Sequence, residues 1–183
     1  MARLLQIAQI GSPILRQQAQ EVPSVHDPAI QTLIEDMMAT CEEADGVGIA
    51  APQVYSPFRV IIVASKPSPR YPNAPMMKPM AMINPNMEFI GDEMEEDWEG
   101  CLSIPGLRGK VRRAKRIGLA YRGPDGFIVS ADYDGFVARI VQHEIDHLNG
   151  TMFVDRADPK SFASEKEYQR VMKEEQKRRE EKV

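Results

Sequence analysis

Apolar residues recur along this chain in two rhythms, and each rhythm predicts an element. From Asp27 onward, Ile30, Leu33, Ile34, Met37, Met38 and Cys41 fall three or four residues apart, the spacing that lays a wide apolar stripe along a helix. Asp27 suits the N-cap and Pro28 the first helical position, and the helix should stop before Gly46. Residues 59–64, "RVIIVA", form a short β-branched run that reads as a buried strand. "AMINPNMEFI", around Ile83, suggests a second strand that turns at Asn84-Pro85. Two more strand-like runs in "RIGLAYRGPDGFIVSADYDG" flank Gly123-Pro124-Asp125-Gly126, a turn signal that makes them a hairpin.

Helical spacing then returns in "DGFVARIVQHEIDHLNG", where Phe136, Val137, Ile140, Val141, Glu144 and Leu148 gather near one side and Asn149-Gly150 supplies a stop. Such a helix should be mostly buried. Beyond Lys160, "SEKEYQRVMKEEQKRREEKV" opens with a capping-box pattern, Ser164 with Glu167, and is almost wholly charged. It reads as a solvated helix over residues 164–183, docked weakly through Tyr168, Val171 and Met172. Five prolines between residues 67 and 79 rule out regular structure there and mark a surface loop over 66–80. No internal repeat is visible. These elements predict an α+β fold: one domain over 1–183, mixed or antiparallel strands around a central helix, and a C-terminal helix.

Composition narrows the class. At 183 residues, 43% of them hydrophobic and 27% charged, the chain has room for one ordinary core and lacks the signature of disorder. A net charge of −4, with no Lys/Arg stripe backed by aromatics, argues against direct nucleic-acid binding. Gln6, Gln9 and the stretch 11–13 interrupt the N-terminal apolar residues before they reach signal-peptide length, and no run is long enough to span a membrane, so a cytoplasmic protein without membrane partners is expected. A chain of this size needs no disulfide staple, so metal binding or nucleophilic chemistry is the better use for a special cysteine, whether Cys41 or Cys101.

The candidate chemistry lies in "VQHEIDHLNG". His143 and His147 stand one turn apart on the same helical face, so both imidazoles can reach one ion at about 2.0–2.1 Å, with Glu144 beside them. Two satisfied histidines would also fit the pattern, but the enclosed glutamate favours a catalytic metal. His26, just before a helix cap, is a poor third ligand. Cys101, in the tight irregular segment "DWEGCLSIPG", is better: a thiolate binds Zn²⁺ or Fe²⁺ at roughly 2.3 Å. Cys41 reads as a small hydrophobe on a buried stripe. A Cys-His-His set leaves a coordination position open, as catalytic sites require, and such a metal acidifies water while Glu144 carries the proton. A further segment, "GVGIAAPQV", is either a helix-ending glycine turn followed by tight packing or a close backbone approach to an extended ligand, with Gln53 offering an amide.

Together, "GVGIAAPQ", "EGCLS" and "QHEIDH", in that order and spacing, resemble the peptide deformylases, a likeness that runs from "GSPILR" to "MFVDR". The resemblance implies a metal-dependent hydrolase that removes the N-formyl group from the initiator methionine of nascent polypeptides and releases formate. It implies Cys101, His143 and His147 as metal ligands, and Glu144 as general base and then acid. Gln53 and the backbone N–H of Leu102 would face the developing oxyanion, and Val47 and Gly48 would pair with the substrate backbone. Val47, Phe136 and Ile140 would line a methionine pocket with the aliphatic surface around His143, and Arg139 would stand at its rim. Fe²⁺ is the implied ion, with Zn²⁺ or Ni²⁺ as substitutes, and N-formylmethionyl peptides are the implied partners. The charged tail could touch the ribosome transiently, although a free acidic-basic helix explains it as simply. Asp146 and Arg113 are either a supporting ion pair or two solvated charges.

Two rivals share the motif. A zinc peptidase usually takes its third ligand after the helix, where Glu165 and Glu167 are available. A structural or sensing metal module would recruit Cys41 as a fourth ligand. A catalytically dead relative is the third alternative, and the intact Glu144 and Gln53 argue against it.

Overall fold

A computed structural model of the protein describes residues 2–68 and 71–180. The first helix, α1 (Pro28–Glu43), starts where Asp27 caps it, its carboxylate accepting from Ala29 N at 2.9 Å. A five-stranded antiparallel sheet follows in the order β1 (Gly48–Ala50), β2 (Val60–Val63), β3 (Met80–Phe89), β6 (Arg116–Arg122), β7 (Ile128–Asp134). All four residues of β2 are buried because both of its faces are covered. Val60 and Ile62 pack with Ile30, Ile34 and Met37 of α1, whereas Ile61 and Val63 pack with Ile140, Val141 and Ile145 of the second helix, α2 (Gly135–Leu148). A strand sandwiched in this way reads as an unbroken apolar run rather than an alternation.

A smaller sheet joins β4 (Met94–Cys101), β5 (Ile104–Ala114) and the two-residue β8 (Ala163–Ser164). The helix α2 lies between the two sheets, with residues 138–148 all buried. Gln142 fastens it to the end of β5: its side-chain oxygen accepts from Ala114 N at 3.0 Å and its amide donates to Ala114 O at 2.8 Å. Behind β5, a third cluster gathers Leu15, Ile104, Val111, Met152 and Phe153, the last opening the single turn α3 (Phe153–Arg156). The chain closes with α4 (Glu165–Glu180). Among the described residues no helix is long and apolar enough to cross a membrane.

Three expectations change. Asn84-Pro85 is not a turn but a bulge inside β3, where the register shifts between Ile83 and Asn86 and Asn84 takes φ 51°. The Asn84 side chain compensates by pairing like a strand edge with residue 22, accepting from Val22 N at 2.8 Å and donating to Val22 O at 3.0 Å. "DWEGCLSIPG" is mostly strand, irregular only at a register shift between Glu99 and Cys101: Cys101 ends β4 and pairs with Ile104 across a tight turn. Its strand signal was hidden because Glu95, Glu96 and Trp98 face Arg113, Arg112 and Lys110, so charge complementarity replaces apolar alternation. Finally, α4 docks firmly at its first turns: Tyr168 is buried, edge-on to Trp98 with ring centroids 5.4 Å apart.

Candidate metal centre

The buried helix α2 carries His143 and His147 with ring centroids 5.0 Å apart, and the β4–β5 turn brings Cys101 to them. Cys101 Sγ lies 3.2 Å from His147 Nε2. One ligand atom from each of the three residues falls within 4.8 Å of the others, and among the described residues this is the cluster of His, Cys or carboxylate groups with that property. Cys41 is excluded from it and sits buried on α1, as its apolar spacing predicts. Burial pushes the Cys41 thiol up to about 12, which keeps it protonated and a poor ligand.

Charges behind the ligands set their protonation. His143 Nδ1 is 3.0 Å from Glu99 Oε2. Arg113 grips Glu99 with Nε and Nη2, both at 2.9 Å, and Arg139 Nη1 adds a third contact at 2.9 Å. Burial alone would raise the Glu99 carboxyl, but hydrogen bonds from Arg113 and His143 outweigh it and hold the group far below the usual carboxylate range. An ionised carboxylate only accepts, so His143 presents Nδ1–H to it and turns Nε2 toward Cys101. At Cys101 burial again opposes ionisation, but His147 and His143 hold the thiol well below its ordinary range. A thiolate and an imidazole nitrogen thus converge on one point.

The network extends outward. Arg113 Nη1 meets Asp146 Oδ2 at 2.5 Å, and Arg156 binds the same carboxylate with two contacts at 2.6 Å. The Asp146–Arg113 contact is therefore a buried ion pair rather than two solvated charges. Arg139 is also not a rim residue. It is 5% exposed, and besides Glu99 it donates to Val111 O and Glu95 O, each at 2.8 Å, so its cation is sealed beneath the cleft it helps to line. Three guanidiniums on two carboxylates leave no buried charge unpaired here, which is the condition under which such groups persist in a core.

Glu144 is the exception. It is buried, and its Oε2 has no hydrogen-bond partner among the described residues; the same holds for His147 Nδ1. Burial pushes the Glu144 carboxyl up to about 7, with His143 and His147 pulling the other way. An orphaned carboxylate oxygen beside a Cys-His-His cluster fits a site made to receive a cation and water. The backbone of β1 passes directly over it: a Cβ on Gly48 would stand 2.6 Å from Glu144 Oε1 and 2.9 Å from Ile140 Cγ2, so only glycine allows this approach.

Gln53 is fixed from both sides. Its Oε1 accepts from Ala50 N at 2.8 Å, which turns Nε2 toward Ser103 Oγ at 3.1 Å and Cys101 Sγ at 3.5 Å. Because Ala64 N donates to Val47 O at 2.8 Å, the facing residues Gly48 and Val63 form a non-hydrogen-bonded pair, and the Gly48 amide and carbonyl point away from β2. β1 is the last strand of its sheet, so these groups face its open edge. Val47, Gly48, Leu102, Phe136 and Ile140 all line the cleft that holds Gln53, Cys101, His143 and Glu144.

Residues 4–163 match the polypeptide deformylase family. The chain belongs to that family. It is 49% identical over 170 residues to peptide deformylase 2 of Nostoc sp., a match covering 92% of this chain and 95% of that one. A class I type b peptide deformylase from Acinetobacter baumannii, solved with Met-Ala-Ser bound, superposes with a TM-score of 0.83 at 47% identity, covering 85% of this chain and 99% of its own. The Thermotoga maritima peptide deformylase gives 0.76 at 37% identity, covering 86% and 99%. As a deformylase the protein is a metal-dependent hydrolase that removes the N-formyl group from the initiator methionine of nascent polypeptides.

The residues read from the motifs line this cleft except His147, which meets Cys101 and His143 in the cluster beside it. Glu99 escaped that reading and Arg139 was placed at the rim instead of beneath the cleft, yet both signals were present. Glu99 and Cys101 are two apart on a strand and, despite the register shift between them, both meet α2, while Arg139 is one helical turn before His143. Recognising β4 as a strand would have exposed the first.

Proposed function

We propose that Cys101 Sγ, His143 Nε2 and His147 Nε2 hold one divalent ion, Fe²⁺ in the cell with Zn²⁺ or Ni²⁺ able to substitute, and that the substrate is a formyl-methionyl peptide lying along β1. The convergence of one sulfur and two imidazoles within 4.8 Å carries this reading. A single thiolate with two imidazoles suits any of the three ions, and three protein ligands leave a position open for chemistry. When bound, the ion supplies Lewis acidity, polarising the formyl carbonyl and acidifying water near neutral pH.

The protein's own groups do the rest. Glu144, buried and raised to about 7, takes the proton of the attacking water and returns it to the departing peptide nitrogen. Gln53 Nε2, locked by the Ala50 contact, donates to the oxygen as it gains charge, and the Leu102 N–H beside Cys101 is the second donor. The outward amide and carbonyl of Gly48 pair with the peptide backbone, a strand-addition mode that accepts varied sequence after the first residue. Val47, Phe136 and Ile140 receive the methionine side chain. A substrate carried on nascent chains supports a cytoplasmic setting, and the exposed charges of α4 are available for a transient ribosome contact.

The peptidase alternative weakens because Glu165 is bonded to Arg108 and lies outside the ligand cluster. Protein purified without oxygen and analysed by mass spectrometry for metals should carry iron. Zinc in place of iron under those conditions would contradict the Fe²⁺ assignment.

A further inference from the structure

The proline-rich segment and the C-terminal helix both reach the cleft, through side chains outside the three signature motifs. The segment is closed at its base, where Met77 N donates to Ser65 O at 3.0 Å and Ser65 Oγ donates to Pro75 O at 2.7 Å. Within it, Tyr71 N donates to Ser68 O at 3.0 Å, and Ala74 N donates to Tyr71 O at 3.1 Å. The Tyr71–Ala74 turn presents the Tyr71 ring to Phe136, with centroids 5.0 Å apart, so the tyrosine extends the apolar wall assigned to methionine.

Arg108 of β5 holds the ring there. Its Nη1 donates to Tyr71 Oη at 2.8 Å, and its Nε donates to Glu165 Oε2 at 2.7 Å. The guanidinium also lies 5.0 Å from the Tyr168 ring centroid of α4. Arg108 is 3% exposed and reaches this position only because Gly100 has no side chain: a Cβ there would stand 2.6 Å from Nη1. The β5–β8 pairing, Arg108 with Ala163, sets the first residue of α4 beside it. A cation this buried is held in part by its carboxylate partner, and losing that partner leaves its charge uncompensated. The family match ends at residue 163, so Glu165 lies beyond it.

We propose that Tyr71 is a specificity-determining wall of the pocket for the substrate's first side chain, positioned by Arg108, and that Glu165 ties that wall to the docked C-terminal helix. The proposal rests on the formyl-methionyl reading of the cleft. Among the described residues the Tyr71 side chain meets Arg108 and Phe136 and forms no hydrogen bond to the proton-transfer or oxyanion groups, so its contribution appears in binding and not in turnover.

The test uses the full chain loaded with Ni²⁺, in wild type, Tyr71→Ala, Tyr71→Phe and Glu165→Gln, with melting curves to show that each is folded. KM and kcat are measured for formyl-Met-Ala-Ser and formyl-Ala-Ala-Ser, and binding of Met-Ala-Ser is followed by calorimetry. Tyr71→Ala should raise KM for the methionyl substrate about tenfold, leave kcat within about twofold and spare the alanyl substrate, because only a long side chain reaches the wall. Met-Ala-Ser should weaken in the same proportion. Tyr71→Phe and Glu165→Gln should shift KM the same way by about threefold, since each keeps the ring but loosens its hold. Unchanged methionyl KM and Met-Ala-Ser affinity in Tyr71→Ala would overturn the proposal, as would equal losses for both substrates. Weakened Met-Ala-Ser binding in Tyr71→Ala, with no formate released even by wild type, would uphold the wall and overturn the deformylase reading instead.

Discussion

Glu144→Ala should lower formate release by about 10³-fold while the protein keeps its metal, since a positioned general base contributes roughly 10²–10⁴-fold. The expectation follows from position and environment together. Glu144 is buried beside the ligand cluster and its carboxyl is raised to about 7, where it can both accept and return a proton near neutral pH. It is not one of the three groups whose ligand atoms converge, so its removal should not empty the site. The check is kcat for a formyl-methionyl peptide alongside metal content. A variant within about tenfold of wild type would show that another group carries the proton.

Cys101→Ala should be as damaging for a different reason. It removes the sole sulfur and leaves two imidazoles, one ligand fewer than catalytic sites of this kind keep. Metal content should fall to near zero after dialysis, and activity with it. The buried Cys41 provides the control: it is outside the ligand cluster and its thiol stays protonated, so Cys41→Ala should retain the ion. Loss of metal from Cys41→Ala would instead favour a closed, four-ligand structural site.

The sequence exposed the chemistry more fully than the architecture that supports it. The helix around His143 was legible because its apolar residues follow the helical period, and the hairpin at Gly123 because its turn residues are distinctive. The strand carrying Cys101 was not legible, since its stability comes from acidic residues facing basic ones on β5, a pairing that only the register reveals. Arg139 looked like a rim residue because a lone arginine in an apolar helix normally reaches solvent; here Glu99 and two carbonyls lie underneath and turn it inward. The proline-rich segment carried no periodicity at all. Its position at the cleft depends on Tyr71 meeting Arg108, a contact between residues 37 apart in the chain.

The same distinction separates the candidate ligands from their support. Cys101, His143 and His147 follow from motif and metal chemistry, whereas the ionised Glu99 that orients His143 depends on Arg113 and Arg139 arriving from two other elements. Partners in this outer layer typically govern metal affinity by about 10- to 100-fold, so they belong to the site as much as the ligands do.

A single hydrolytic centre of Gln53, Cys101, His143, Glu144 and His147 is expected to act on a formyl cap. Its most direct test is formate release from a formyl-methionyl peptide by the purified chain loaded with Fe²⁺ or Ni²⁺. Stoichiometric formate and a free methionyl amine are expected, with the peptide bonds intact. No formate from a fully metallated sample, or cleavage at an internal peptide bond, would contradict it.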